Sequence, residues 1–152
     1  MKKLFAVVLT FALLASLSVT AFAANTTGGE ADITTSIAPT YTVTIPADVN
    51  VQFNATETAF GTIEVTASQI HPDKCIKVAL ATDNELNNAI DNTKVIPYAI
   101  KDSEGAAFTS ATYLTEGDKT ELSIHITESD WNAAYAGEYS DTITFTITYE
   151  DK

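Results

Sequence analysis

Thr142-Ile143-Thr144-Phe145-Thr146-Ile147-Thr148-Tyr149 is the stretch that decides the fold. Every second residue is large and apolar, and every residue between is Thr. Side chains of an extended chain alternate between two faces, so this stretch reads as a half-buried strand. Ile143, Phe145, Ile147 and Tyr149 are expected to face the core, with Thr142, Thr144, Thr146 and Thr148 outward. Thr suits the wet face because its branched Cβ fits a pleated surface.

The same alternation recurs upstream in Tyr41, Val43 and Ile45, in Val49, Val51 and Phe53, and in Ile63 and Val65. It continues in Ile76, Val78 and Leu80, through Val95 to Ile100, and in Leu122, Ile124 and Ile126. Gly, Pro, Asn and Asp punctuate these runs, which predicts about seven or eight short strands. Such a count in one domain implies an all-β, immunoglobulin-like two-sheet sandwich. One helical turn is expected at Thr127 to Ala134, where a capping Thr precedes Glu128, Asp130 and two Ala, with Trp131 plugging one end of the sandwich. Thr82 to Lys94, rich in Asn and Asp, reads as a surface excursion.

The N-terminus carries a different signal. Lys2 and Lys3 precede the apolar run Leu4 to Leu17, and Ala21-Phe22-Ala23 supplies a small-x-small cleavage pattern. The run is shorter than the about 20 apolar residues that a membrane span needs. Residues 1–23 are therefore expected to be a signal peptide removed after Ala23, residues 24–38 an N-terminal arm, and residues 39–152 the sandwich domain. Secretion follows, with no membrane attachment after cleavage. There is no hydrophobic C-terminal tail, so attachment to a cell surface is expected to run through partners. Cys75 is the only Cys, which excludes an internal disulfide. It reads either as a partly exposed thiol open to an intermolecular bridge or as a half-buried free thiol.

Formal charge is −12, becoming −14 when Lys2 and Lys3 leave, and there is no Arg. Nucleic acid and anionic lipid both need cations to displace counterions, so neither is an expected partner.

Candidate chemistry is sparse. His71 precedes Pro72 in a turn, and His125 falls on the polar side of a strand, with no motif joining them to a nucleophile. A non-enzymatic chain without a cofactor is expected. Asp83, Asn84, Glu85, Asp91 and Asn92 offer oxygen ligands in one loop region, which makes Asp83, Glu85 and Asp91 candidate calcium ligands. Their spacing fits no EF-hand loop, and a solvated turn is the plainer reading. The Thr rows are expected to reflect strand propensity rather than a water-ordering surface.

The segment Ala136-Gly137-Glu138-Tyr139-Ser140-Asp141-Thr142-Ile143-Thr144-Phe145-Thr146-Ile147 resembles the closing strand of spore-coat-protein-U and related fimbrial-subunit domains. Ile96-Pro97-Tyr98-Ala99-Ile100-Lys101-Asp102 is similar to their middle strand, and Tyr41 to Phe53 with Phe60-Gly61 to their opening strands. The closing strand is also similar to that of WxL-type wall-binding domains, with Phe145-x-Ile147 standing at the Trp-x-Leu position. The Gly137-x-Tyr139 step is at the same time a general sandwich corner that places Tyr at a strand entry.

The resemblance implies a secreted structural or adhesive surface protein of bacterial type, a fibre or pilus-like subunit that pairs with itself or with other surface proteins by strand addition. A cell-wall- or carbohydrate-binding module is the alternative. Ala31, Ile33, Thr35 and Ile37 share one parity in the arm, after Gly28-Gly29 and before Pro39. They are expected either to complete a neighbour's sheet or to form an ordinary first strand within their own domain.

Overall fold

The computed structural model describes Leu9–Thr10 and residues 30–152. Leu9–Thr10 belong to the expected leader, so a chain cleaved after Ala23 would lack the strand they form and leave that edge of its neighbour, Thr40–Thr44, bare. The leader and its cleavage otherwise lie outside the described residues. Among those described, eleven strands and one short helix form an all-β sandwich.

The first principal sheet runs β1-β2-β3-β9-β7: Leu9–Thr10 (β1), Thr40–Thr44 (β2), Glu57–Gln69 (β3), Lys119–His125 (β9) and Ala99–Asp102 (β7). The second runs β11-β4-β8: Thr144–Asp151 (β11), Lys74–Ala81 (β4) and Ser110–Tyr113 (β8). All pairings are antiparallel. Ile63 and Val65 of β3 and Ile76 and Val78 of β4 are fully buried between the two sheets. The alternation of these strands thus becomes the core in the expected parity.

Three elements depart from the sequence reading. Glu85–Asn88 (β5) pairs with Val95–Pro97 (β6) on one side and Tyr139–Ser140 (β10) on the other in a third small sheet, so the strands outnumber the seven or eight expected. The loop 82–94 is therefore not a plain excursion, because backbone ladders form whatever the polar side chains are. Val95 to Ile100 divides at Tyr98: β6 joins the small sheet, β7 joins the first, and the Tyr98 amide donates to Asn84 O. The alternation of Val49, Val51 and Phe53 is not a strand at all. Residues 45–53 lie outside any ladder, Phe53 is 75% exposed, and Asn54 closes the segment in the left-handed region at φ 64°.

Gly61 explains how the segment is seated. It sits in the bulge of β3 at φ +137°, and a Cβ there would meet Pro46 at 3.1 Å. The helix Glu128–Ala133 (α1) forms where expected. Thr127 caps it by accepting from the Asp130 amide, and buried Trp131 donates its indole N–H to Ala55 O at 2.9 Å.

Candidate functional site: an open groove beside an edge strand

Among the described residues β11 has a hydrogen-bonded neighbour on one side only, β4, paired from Thr144↔Ala81 to Asp151↔Lys74. Its faces are as the sequence predicts: Thr144, Thr146 and Thr148 are exposed, and Ile147 and Tyr149 turn inward with Phe145. The inward row is, however, only half-buried, as is Ile143 just before the strand. Expecting these residues to be ordinary core was too strong, because among the described residues no strand lies beyond β11 to cover their outer flank.

The gap beside Ile143 and Phe145 is an open groove of ≈ 1400 Å³. Residues 45–51 with Phe53 line one wall, and residues 134–143 line the other. Phe60, Ile96, Ile124 and Trp131 contribute buried apolar surface, and Phe145 meets Phe60 with ring centroids 6.0 Å apart. Tyr41 of β2 stacks on Tyr149 of β11 at 5.8 Å, which brings the two strands together across the sandwich beyond the groove. The volume exceeds the range of about 300–1000 Å³ usual for small-molecule pockets.

The wall leading into β11 is fixed by polar contacts. The Tyr98 hydroxyl donates to Asp141 Oδ2 at 2.5 Å and the Thr82 hydroxyl to the same oxygen at 2.9 Å, while Asp141 Oδ1 accepts from the Thr142 amide. Burial, and then the bond to Asp141, push the Tyr98 phenol well above its ordinary range. It therefore stays a donor. Gly137, at φ +152°, lets this wall lie against buried Asn88, whose Nδ2 would be 2.5 Å from any Cβ there. Tyr139 at the corner donates to Tyr135 O, four residues upstream, as sandwich corners do.

Of the arm, Ala31, Ile33, Thr35 and Ile37 are all exposed and none is in a strand. Ile33 is 98% exposed and Ile37 67%. Residues 30–38 of the arm form no strand in this structure.

The candidate calcium ligands are not gathered. Asp83 Oδ1 accepts from the Glu85 amide, and Asp91 Oδ1 accepts from the Thr93 amide and hydroxyl. Those Thr93 bonds hold the Asp91 carboxyl below the usual range. Among the described residues no three His, Cys, Asp or Glu side chains form a cluster that could hold a metal ion.

His71 pairs with Asp73 at the exposed β3–β4 turn, and that bond lowers the Asp73 carboxyl. Ser123 Oγ lies 2.9 Å from His125 Nε2, and Glu57 Oε1 lies 3.9 Å from the same nitrogen. Acid and hydroxyl thus meet one ring nitrogen, whereas a nucleophilic relay needs them on opposite ones. Cys75 is buried, and its thiol faces the carbonyls of Glu150 and Asp151 at 3.7 Å. An intermolecular bridge through it would require β11 to part from β4.

Among the described residues no helix is long and apolar enough to cross a membrane. Comparison with protein-family models, curated proteins and solved structures finds no match for this chain.

Proposed function

We propose that this chain is a secreted bacterial surface protein, structural or adhesive, that assembles as a fibre-like subunit by strand addition. One copy's arm is laid beside β11 of the next. The observation that carries this reading is the pairing of a deficit with a surplus in one molecule. β11 offers an unpaired edge and a half-buried apolar row beside the groove, while the arm offers an unpaired segment with exposed Ile33 and Ile37. Main-chain bonds along the edge would supply affinity, and alternate side chains entering the groove would supply specificity. Ten residues, 30–39, reach about 33 Å when extended, more than the eight-residue β11 spans.

The arm also leaves β2 at Thr40, the Tyr41–Tyr149 end of the sandwich, while the groove lies by the other end of β2, where residues 45–53 begin. To enter its own groove the arm would have to reverse at Ala38-Pro39. A second copy's arm needs no reversal, which favours exchange between chains.

Light scattering of the chain recovered from culture medium, in about 0.15 M salt, tests this. Ordered multimers are expected, and Ile33→Asp with Ile37→Asp should give a monomer with an unchanged melting temperature, since both side chains are exposed. A parent chain that stays monomeric at high concentration overturns the reading. If that monomer is retained on isolated cell walls, the chain is a wall- or glycan-binding module instead.

A further inference from the structure

The arm and the groove carry charge of the same sign. Glu30 and Asp32 are both exposed in the arm. Asp48, Glu138 and Asp141 line the groove, and among the described residues no Lys, Arg or His lines it. One cation stands at the margin: Lys94 Nζ lies 5.0 Å from the centroid of the lining Tyr135 ring. The sequence has no Lys or Arg between Lys3 and Lys74, so the one cation the cleaved arm carries is the α-ammonium of Ala24, against two acids.

Parity sets where these charges meet. With Ile33 and Ile37 turned into the groove, Glu30 and Asp32 face away from its floor. They would then stand at the level of the rim, where Asp48 and Glu138 are exposed and Asp141 is half-buried. All of this repulsion runs through or beside water, where dissolved salt screens it: the screening length falls from about 30 Å at 0.01 M to about 3 Å at 1 M. Apolar contact and main-chain bonding are not weakened in that way. Charges at an interface rim act mainly on the association rate and its salt dependence.

Resting on the strand-addition reading above, we propose that ionic strength gates the assembly. Repulsion between the arm acids of one copy and the groove acids of the next holds chains apart in dilute salt, and screening releases them.

The test is the rate of multimer growth, followed by light scattering on the secreted chain at about 0.01 M and about 1 M salt. Three proteins are compared: the parent, Glu30→Gln with Asp32→Asn, and Glu104→Gln with Glu116→Gln. The last pair removes the same charge from exposed turns away from the groove lining. The parent should assemble about tenfold faster in high salt, in line with the steering effect of like-charged surfaces. The arm variant should assemble at the high-salt rate in both conditions, and the turn variant should behave as the parent. Equal rates for parent and arm variant in dilute salt overturn the gate and leave strand addition standing. A turn variant that matches the arm variant overturns it too, since net charge alone would then be responsible. No multimers from any of the three at either salt overturns the gate together with strand addition.

Discussion

The two flanks of the second sheet are built from the same kinds of residue and end in different states. At the centre Ile76 and Val78 of β4, paired to Tyr113 and Ala111 on one side and to Tyr149 and Ile147 on the other, are fully buried, and toward β8 Tyr113 is buried as well. Tyr113 adds a hydroxyl bond to Thr120 of β9 at 2.8 Å, which ties the two sheets on that flank. Toward β11, the inward row is no less apolar, yet Phe145 and Ile147 remain half-buried and the groove stands open. Composition does not separate the flanks. Both β8 and β11 are edge strands, so the difference lies in what packs over the inward row. Tyr113 reaches Thr120 of β9 on one flank, whereas the open groove stands beside Phe145 on the other, and a strand can have the right parity and still lack a complete core.

That contrast predicts unequal costs of truncation. Ile76→Ala should destabilise the monomer by about 3–4 kcal/mol, the transfer loss plus a cavity that sealed surroundings cannot collapse. Phe145→Ala should cost the monomer about 2–3 kcal/mol despite the larger side chain, less than emptying a sealed aromatic site, because part of its surface already faces the groove. Urea melts of the two variants at low protein concentration measure both. A Phe145→Ala cost equal to or above that of Ile76→Ala would mean that the β11 flank is sealed after all.

A smaller effect belongs to the turn on the closed flank. Asp118 accepts from the amides of Leu114 and Thr115 and from the Thr115 hydroxyl, and the two amide bonds, in that order, lead in lowering its carboxyl pKa. A carboxyl lowered in the native state adds stability above its unfolded pKa and loses it as pH falls through the native value. Asp118→Asn should therefore cost about 1 kcal/mol at neutral pH, discounted for a site near solvent. The gap to the parent should narrow as the medium becomes acidic enough to protonate the native carboxyl. A gap that stays constant down to that range would show that the turn depends on shape rather than on charge.

How much of this was legible in the sequence follows from which interactions are local. The parity of β11 was readable because Thr and apolar residues alternate without a break. So was α1, whose Thr127 cap and early acids act within a single turn. The switch of sheets at Tyr98 was not, since Val95 to Ile100 is continuously apolar and the partner strands that divide it are distant in sequence. Val49, Val51 and Phe53 alternate as a strand does, but a strand exists only where a ladder partner is free, and residues 45–53 have none. β5 was hidden in the opposite way, its Asn-rich sequence giving no sign that its backbone would be paired. The groove was beyond sequence reading altogether, because it is the gap between residues 45–53 and 134–143 and no single stretch encodes it. The arm could be seen as an alternating segment, while its lack of a partner within the domain could not.

Amide hydrogen exchange along β11 and the arm tests the central claim most directly, since strand addition must protect backbone groups that the isolated domain leaves to water. Compared between monomer and multimer, the β11 amides that face away from β4 and those of residues 31–37 should be fast in the monomer and slow together in the multimer. The β4 and β8 amides that already bond within the sheet should not change. If the outward amides of β11 exchange equally fast in both forms, or if protection falls elsewhere, copies do not join by completing the sheet at β11 and the account is wrong.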